Sequence, residues 1–226
     1  GLITDQEGNV ADPEILHFVL PRADYEIAQE SWHVMGLKGT GSKDLIVKDA
    51  FVPFHRGIRT ESITAGDGGA LAARATPLYA IPRNIMFSAC ISTATLALAA
   101  GCVRHSVSFL KKNPHTRGAT DPYQLAALGE ALADLEASKL QLFTDIERAY
   151  ERLEKGEMLT FSDRAELRRN QVRCSHRAVD AADDVFKLSG GAQLQTKLPM
   201  QRFWRDAQAA LHHIQNQDKS MYQTWG

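Results

Sequence analysis

The 226-residue sequence contains only three cysteines, Cys90, Cys102 and Cys174, and none of them belongs to a C-x-x-C pair. An odd number of widely spaced cysteines predicts neither a disulfide framework nor a cysteine metal site. We therefore expect free thiols, no bound metal and a reducing, cytoplasmic location.

The sequence also lacks an excess of charge and an uninterrupted apolar run. Its 26 Lys and Arg nearly balance its 27 Asp and Glu, giving a formal net charge of −1. This balance provides no general attraction to nucleic acid or to an anionic membrane. The most apolar stretch, 85–103, is interrupted by Ser and Thr and flanked by Arg83 and Arg104. We therefore expect no transmembrane span and no nucleic-acid partner.

A glycine-rich stretch at 36–42 matches neither common nucleotide-binding loop. Gly36 and Gly41 have Walker spacing, but Ser-Lys follows instead of Lys-Ser, and a strand pattern comes next. The dinucleotide fingerprint fails because Asp44 stands where its third glycine belongs. No nicotinamide fingerprint occurs elsewhere in the chain. The residues alone predict a tight turn with positive φ or a close backbone approach.

The first 60 residues show the alternation and composition of strands. The candidate strands lie at 15–20, 25–27, 45–47 and 50–52. Pro21 and Pro53 follow the first and last of these runs, and proline ends strand pairing. His17 lies inside the first run without a second ligand nearby, so we interpret it as a structural histidine.

From residue 78 the apolar period changes to 3.6 and predicts an antiparallel bundle of four long helices. The predicted helices lie at about 83–112, 121–156, 162–188 and from 199 onward. For the second helix, Asp121 is the expected N-cap, Pro122 the first residue and Gln124 part of a capping box. Gly190 is the expected left-handed stop of the third.

These patterns predict two domains. Residues 1–60 form part of a β-domain, and residues 78–226 form the helical bundle. Between them, 61–77 is rich in Gly, Ala and Thr and predicts a linker or mobile loop.

Two longer motifs resemble one protein family. The stretch W-x-x-x-G-L-K-G-T-G-S-K-D followed by D-x-F-V-P-x-H-R occupies 32–56, and GGAQLQTKLPMQRFWRDAQAALHH occupies 190–213. Both are similar to motifs of two-component (group D) flavin-dependent monooxygenases on the acyl-CoA dehydrogenase fold. Examples are the oxygenase components of p-hydroxyphenylacetate, secosteroid-phenol and dibenzothiophene monooxygenases.

This resemblance covers nearly the whole chain and implies an α+β, acyl-CoA dehydrogenase-like fold. A partial middle β-domain would be followed by a C-terminal four-helix bundle. Because the family carries a helical domain before the β-domain, we expect that a front domain is missing and that the active site here is incomplete.

The resemblance also implies a function. Reduced FMN or FAD would come from a separate NAD(P)H:flavin reductase and react with molecular oxygen to give a C4a-hydroperoxyflavin. An aromatic, in particular phenolic, substrate would then be hydroxylated. The family's assembly implies a homodimer or homotetramer.

Site residues follow from the resemblance as well. The family holds the flavin's phosphate-bearing tail near the loop at 111–121 and against a Gly-Gly turn of a neighbouring subunit. The predicted cofactor contacts are Thr40, Ser42, Arg117, Gln124, Gly190 and Gly191. We expect Arg205 and Asp206 to be structural.

A histidine of the family aligns with His213, which is therefore the predicted catalytic residue. It would take a phenol proton or hydrogen-bond the oxygenated flavin. A capping role at the helix end is the alternative, and it is the interpretation we prefer for His212.

Two other functions stay open. An acyl-CoA dehydrogenase of this fold needs a glutamate base after the last long helix or at the start of the helical domain, but 212–217 and 78–87 contain no acid. A helical assembly module without activity is the second alternative.

Overall fold

The structure, a computed structural model, describes residues 2–4, 7, 9–65 and 76–225. It contains two compact units, Gly1–His33 with Lys38–Met86, and Val34–Leu37 with Phe87–Gly226. The division therefore falls after Met86 rather than at 61–77. In that predicted linker, 60–65 are helical, because they pack on the neighbouring strands, and 66–75 lie outside the described residues.

The described part of the first unit holds two small antiparallel sheets and a short helix. Its elements are β1 (Leu2–Thr4), β2 (Val10–Phe18), β3 (Tyr25–Ile27), β4 (Leu45–Val47), β5 (Gly57–Arg59) and α1 (Thr60–Ala65). The strands pair in the orders β1-β2-β5 and β3-β4, and α1 packs against β2 and β5. His17 lies in β2 opposite Ile58, which confirms its place in a strand.

Two strand predictions differ from the structure. The first strand ends at Phe18 instead of continuing to Leu20. No strand forms at 50–52, because Asp49 takes a φ of 49°, which breaks the extended backbone after β4.

The second unit confirms the four long helices and adds two short ones. They are α2 (Arg83–Lys112, here from Phe87 onward), α3 (Arg117–Thr120), α4 (Pro122–Glu154), α5 (Phe161–Leu188), α6 (Pro199–Leu211) and α7 (Asp218–Trp225). The short α3 and α7 were not predicted, since neither is long enough to show a helical period.

The start of α4 is capped as predicted except at Gln124. Asp121 accepts a hydrogen bond from the Tyr123 N–H at 2.9 Å, and Pro122 occupies the first helical position. The predicted capping box is wrong because the Asp121 N–H already donates to the Arg117 carbonyl at 2.8 Å. The side chain of Gln124 is therefore left for another role.

The start of α5 carries a capping box that was not predicted. Thr160 and Asp163 bond each other's backbone N–H, in the T-x-x-D pattern that announces such a box. At the other end, Gly190 has a positive φ of 76° as expected. Its ψ of 168° lies outside the left-handed helical region, so the predicted left-handed stop is wrong. The backbone at Gly190 is extended in ψ where the chain leaves α5.

The core of the bundle is built largely from small side chains. Its buried members are Leu96, Ala99, Cys102, Val103, Ala131, Leu135, Ala178, Ala181, Ala182, Val185 and Met200. A Cβ at Gly101 would lie 2.7 Å from the Phe203 ring, so glycine allows α2 and α6 to approach closely. Among the described helices, only α2 is long and apolar enough to cross a membrane by length and composition. Its role in this core accounts for that composition.

Arg205 and Asp206 of α6 hold the segment Val34–Leu37. Arg205 Nη1 donates to the Met35 carbonyl at 2.5 Å, and Asp206 accepts from the Leu37 N–H at 2.7 Å. Both residues are structural as expected, although they bind a loop rather than another helix.

We predict that Gly36→Ala destabilises the helical unit. A Cβ at this position would lie 2.3 Å from the Arg205 carbonyl oxygen, so the segment would have to leave α6. Overpacking of this kind costs about 1–3 kcal/mol, which urea unfolding measures. Gly39→Ala is the matched control, because no atom lies within 4 Å of its added Cβ. Equal unfolding midpoints for the two variants would contradict the packing described.

We also predict a pH-dependent contribution from Asp163. Its hydrogen bonds with Arg152, at 2.7 Å, and with Thr160 lower its pKa to about 2. Because the folded pKa lies below the unfolded value, the stabilisation is present above about pH 4 and is lost as the pH falls toward 2. Asp163→Ala should cost about 1 kcal/mol near neutral pH.

Denaturant unfolding of parent and Asp163→Ala across this pH range tests the prediction. The difference between them should shrink toward pH 2, as the parent carboxylate becomes protonated. Glu157→Gln, which removes an exposed partner of the same Arg152, should have a smaller effect. A difference that stays constant with pH would sink the idea.

Candidate functional site

A cavity of about 430 Å³ lies among the C-terminal end of α2, the first turns of α4, the end of α5 and the start of α6. Its volume is in the range of small-molecule sites. Apolar walls come from Phe109, Leu110, Leu128, Val185, Leu188 and Met200. The polar lining comes from Ser106, Thr116, Arg117, Gln124, Ser189 and Gln193.

The loop between α2 and α4 places a cation at the rim of this cavity. The Arg117 side chain is 86% exposed, and its Nε lies 3.4 Å from Asp121. Gly118 lets the loop close over Gln124, since a Cβ there would lie 2.9 Å from the Gln124 amide oxygen. An exposed guanidinium and a half-buried amide are thus available to a polar ligand group.

The turn after α5 completes the cavity with a residue that was not predicted. Gly190 lines the cavity, and the predicted Gly191 begins the 3₁₀ turn Gly191–Leu194 beside it. Gln193, in this turn, is 1% exposed, and its Oε1 has no hydrogen-bond partner within the described chain. A buried acceptor without a partner needs a donor from outside the fold, either a bound water or a ligand that donates to it. In the sequence, the only signal for a role of Gln193 at this cavity is its position two residues after Gly191.

Three of the predicted cofactor contacts therefore meet at one cavity: Arg117, Gln124 and Gly190. The resemblance implied that the loop and the Gly-Gly turn come from neighbouring subunits, whereas here both line a cavity of a single chain. Thr40 and Ser42 lie in the first unit, both exposed, with their hydroxyls 3.4 Å apart. Their role stays a prediction.

His213 does not line this cavity. Met200, near the start of α6, lines the cavity, whereas His213 follows the end of this helix at Leu211. At a rise of 1.5 Å per residue, Met200 and Leu211 lie about 16 Å apart. His213 caps the 3₁₀ turn Ile214–Asn216 by accepting the Gln215 N–H on Nδ1 at 3.2 Å. His212 is the exposed C-cap of α6. Both histidines thus act as caps: His212 at the end of α6, and His213 at the start of the following 3₁₀ turn rather than at the helix end.

The His213 ring keeps a chemical capacity that capping does not use. Its burial lowers its pKa, so the neutral form predominates at neutral pH. Because Nδ1 accepts a hydrogen bond, the neutral ring carries its proton on Nε2. The Phe87 ring lies 5.9 Å away between centroids and forms an apolar neighbour. His213 therefore offers a hydrogen-bond donor at Nε2, and it must release Gln215 before Nδ1 can take a proton.

Comparison with known proteins agrees with this fold. Residues 89–218 match the family model of the acyl-CoA dehydrogenase C-terminal domain. The chain belongs to this family. The matched residues run from within α2 to beyond α6 and include the cavity lining and His213. The match confirms the predicted fold class.

Among proteins of the acyl-CoA dehydrogenase fold, relatives that are similar to this chain in sequence include hydroxylases. A pigment production hydroxylase of Rhodococcus erythropolis is 40% identical over 213 residues, covering 92% of this chain and 54% of the relative. The oxygenase component of an FADH2-dependent resorcinol hydroxylase of Rhizobium is 33% identical over 214 residues, covering 87% and 51%. The resemblance to flavin-dependent monooxygenases is thereby confirmed.

A solved structure extends the similarity to three dimensions. The 3-HSA hydroxylase of Rhodococcus sp. RHA1 superposes with a TM-score of 0.92 at 32% identity, covering all of this chain and 58% of that one. The chain spans about half the length of the curated relatives it matches.

We predict opposite stability effects for two buried glutamines. Gln193→Leu removes an amide oxygen that lacks a partner and should stabilise the protein without added ligand by about 1 kcal/mol. Gln201 is also buried, but its amide donates to the Thr196 and Leu198 carbonyls and accepts from Arg205. Gln201→Leu should destabilise by about 1–3 kcal/mol. Thermal unfolding checks both, and a loss of stability in Gln193→Leu as large as in Gln201→Leu would show that Gln193 is satisfied within the fold.

Proposed function

We propose that the full-length protein is the oxygenase component of a two-component flavin-dependent monooxygenase that hydroxylates an aromatic, phenolic substrate. The observation that carries the proposal is that Arg117 and Gly190 line one cavity, together with the unpartnered acceptor of Gln193. The family resemblance independently assigns the flavin tail to Arg117 and Gly190. The hydroxylase names of the relatives support the same activity.

The residues of the cavity fit the tail of FAD better than that of FMN. Arg117 at the rim suits a diphosphate, because a guanidinium forms paired hydrogen bonds with phosphate oxygens. Apolar walls suit a flat aromatic ring, and the Gln193 oxygen suits the exocyclic amine of adenine, which donates hydrogen bonds. FMN lacks that ring and would leave Gln193 unsatisfied. We therefore propose reduced FAD as the bound form.

When bound, reduced flavin supplies the electrons that activate molecular oxygen, which is chemistry the side chains do not provide. The task of His213 is to hold a proton at Nε2. From there it would donate to the phenolic oxygen, orient the ring and stabilise negative charge on that oxygen. By stabilising negative charge, the contact favours loss of the phenol proton to solvent, and the resulting phenolate ring is electron-rich, as an electrophilic oxygen donor requires.

Both alternatives are less well supported. Dehydrogenation of an acyl-CoA needs a carboxylate base, and the segment after α6, residues 212–217, contains none. An inert assembly module gives no reason for Gln193 to bury an acceptor without a partner.

We further propose a homodimer or homotetramer located in the cytoplasm. Helix α4 exposes apolar side chains that its own bundle does not cover, among them Leu140 at 70% and Phe143 at 48%. Contiguous exposed apolar surface marks association sites. Light scattering of the full-length protein that shows a monomer at micromolar concentration would exclude this assembly.

We predict that the full-length protein does not oxidise NADH by itself, even with added flavin. The chain contains no nicotinamide fingerprint, so electrons must arrive as flavin already reduced by a separate NAD(P)H:flavin reductase. Hydroxylation should appear when reductase, or chemically reduced FAD, is supplied with oxygen and a phenol. Rapid NADH consumption by the purified protein alone would point to another class of enzyme.

We predict that His213→Ala uncouples the reaction in the full-length protein. Reduced flavin should still bind and oxygen should still be consumed, while hydroxylated product falls about 10²–10⁴-fold and hydrogen peroxide rises. The matched control is His212→Ala, because this neighbour is exposed and serves only as a cap. Parental product yield in His213→Ala would remove the residue from the mechanism.

A further inference from the structure

The proton position of His213 depends on one backbone N–H. Gln215 donates this N–H to Nδ1, and an imidazole nitrogen that accepts a hydrogen bond carries no proton in the neutral ring. If the donor moved away, either nitrogen could carry the proton. The placement of Gln215 therefore decides which tautomer His213 adopts.

Two buried side chains hold Gln215 from opposite helices. The Ser88 hydroxyl, on α2 and fully buried, donates to the Gln215 amide oxygen at 2.6 Å. From α5, Arg168 Nη2 donates to the Gln215 carbonyl at 2.7 Å. The turn that carries this N–H is thus held by hydrogen bonds from two helices of the bundle.

Arg168 is a costly residue to bury at this place. It is 7% exposed, and no carboxylate of the described chain lies within ion-pair distance; its Nη1 donates instead to Gln171 at 2.8 Å. Burial lowers its pKa to about 10, which leaves it charged at neutral pH. An apolar side chain of similar length would fill the space at lower cost. What the cation adds is a charge-assisted hydrogen bond to Gln215.

Asn216 anchors the same turn from its other side. Its amide nitrogen donates to the Thr95 hydroxyl at 3.1 Å and to the Ala210 carbonyl at 2.8 Å. His176 Nε2 donates to the Asn216 carbonyl at 2.8 Å. Consecutive residues of the turn are thus tied to α2, α5 and α6, which is more than a surface turn after a helix needs.

We propose that Arg168 and Ser88 are positioning residues that act through Gln215 to hold His213 as its Nε2–H tautomer. His213 then presents one defined donor to a phenolic substrate. This catalytic consequence rests on the proposed function, whereas the tautomer is a property of the protein with or without flavin.

Nitrogen-15 NMR of the histidine rings in the full-length protein tests the tautomer directly. The His213 signals are assigned by their loss in His213→Gln. In the parent, Nδ1 should show the shift of an unprotonated nitrogen and Nε2 that of a protonated one. In Arg168→Met and in Ser88→Ala the ratio should move toward Nδ1–H on the order of fivefold, the effect of about one hydrogen bond. Arg168→Lys should restore much of the parental ratio.

Arg169→Met is the matched control, because this neighbouring arginine donates to Asn170 and Glu166. Arg168→Met should lower the melting temperature modestly, because it leaves the Gln171 amide oxygen and the Gln215 carbonyl without their donor. If it does not fold, Ser88→Ala decides. A parental tautomer in the folded variants, a parent protonated on Nδ1, or an equal shift in Arg169→Met would overturn the proposal.

The two proposals fail separately. If His213→Ala hydroxylates like the parent, the proposed catalytic role is wrong. The NMR experiment then still tests whether Arg168 and Ser88 set the tautomer of His213. If the tautomer is unaffected by Arg168 and Ser88 while His213→Ala uncouples, His213 is catalytic and its positioning lies elsewhere.

Discussion

Close packing of α2 against α5 and α6 is the constraint on which the rest of the helical unit depends. A Cβ at Gly101 would meet the Phe203 ring, and Ala99 and Ala178 are completely buried in the same core, so larger side chains at these positions would not fit without separating the helices. Tight packing of this kind resists shifts of even one methylene. This packing therefore fixes the side chains at both ends of α2, among them Ser106 at the cavity and Ser88 at the His213 turn.

The two ends of this packed unit have different chemistry. Along α2, Ser106 at the cavity and Ser88 at the His213 turn are separated by about 27 Å at 1.5 Å per residue. The cavity end has apolar walls, an exposed cation and the unsatisfied acceptor of Gln193. The His213 end is a hydrogen-bonded network around a buried arginine, in which the Asn216 amide oxygen lacks a partner among the described residues. The separation suits the proposed cofactor, because its polar tail and its reactive ring would then contact different residues.

Much of the fold was readable from sequence because periodicity and caps are local signals. Asp121 and Pro122 marked the start of α4, and the change from period 2 to period 3.6 separated strands from helices. The Gly190 stop failed in form because the sequence specifies positive φ without specifying ψ. The strand at 50–52 failed because the backbone at Asp49 overrode a good local composition.

The site was only partly readable. Arg117, Gln124 and Gly190 were predicted through resemblance, and their meeting at one cavity depends on helix packing that no local pattern encodes. Gln193 and Arg168 were missed for the same reason. A buried glutamine without a partner and a buried arginine without a carboxylate look like ordinary surface residues until the burial of each is known. Their three-dimensional surroundings, not their residue types, make them informative.

Displacement of bound FAD by ADP tests the central claim most directly, because ADP carries the proposed cavity ligand without the reactive ring. In the full-length protein we expect ADP to compete with FAD, and Arg117→Ala together with Gln193→Leu to weaken both, while riboflavin affinity stays unchanged. If ADP fails to displace FAD although riboflavin succeeds, the cavity does not hold the flavin tail, and the function proposed for it is contradicted.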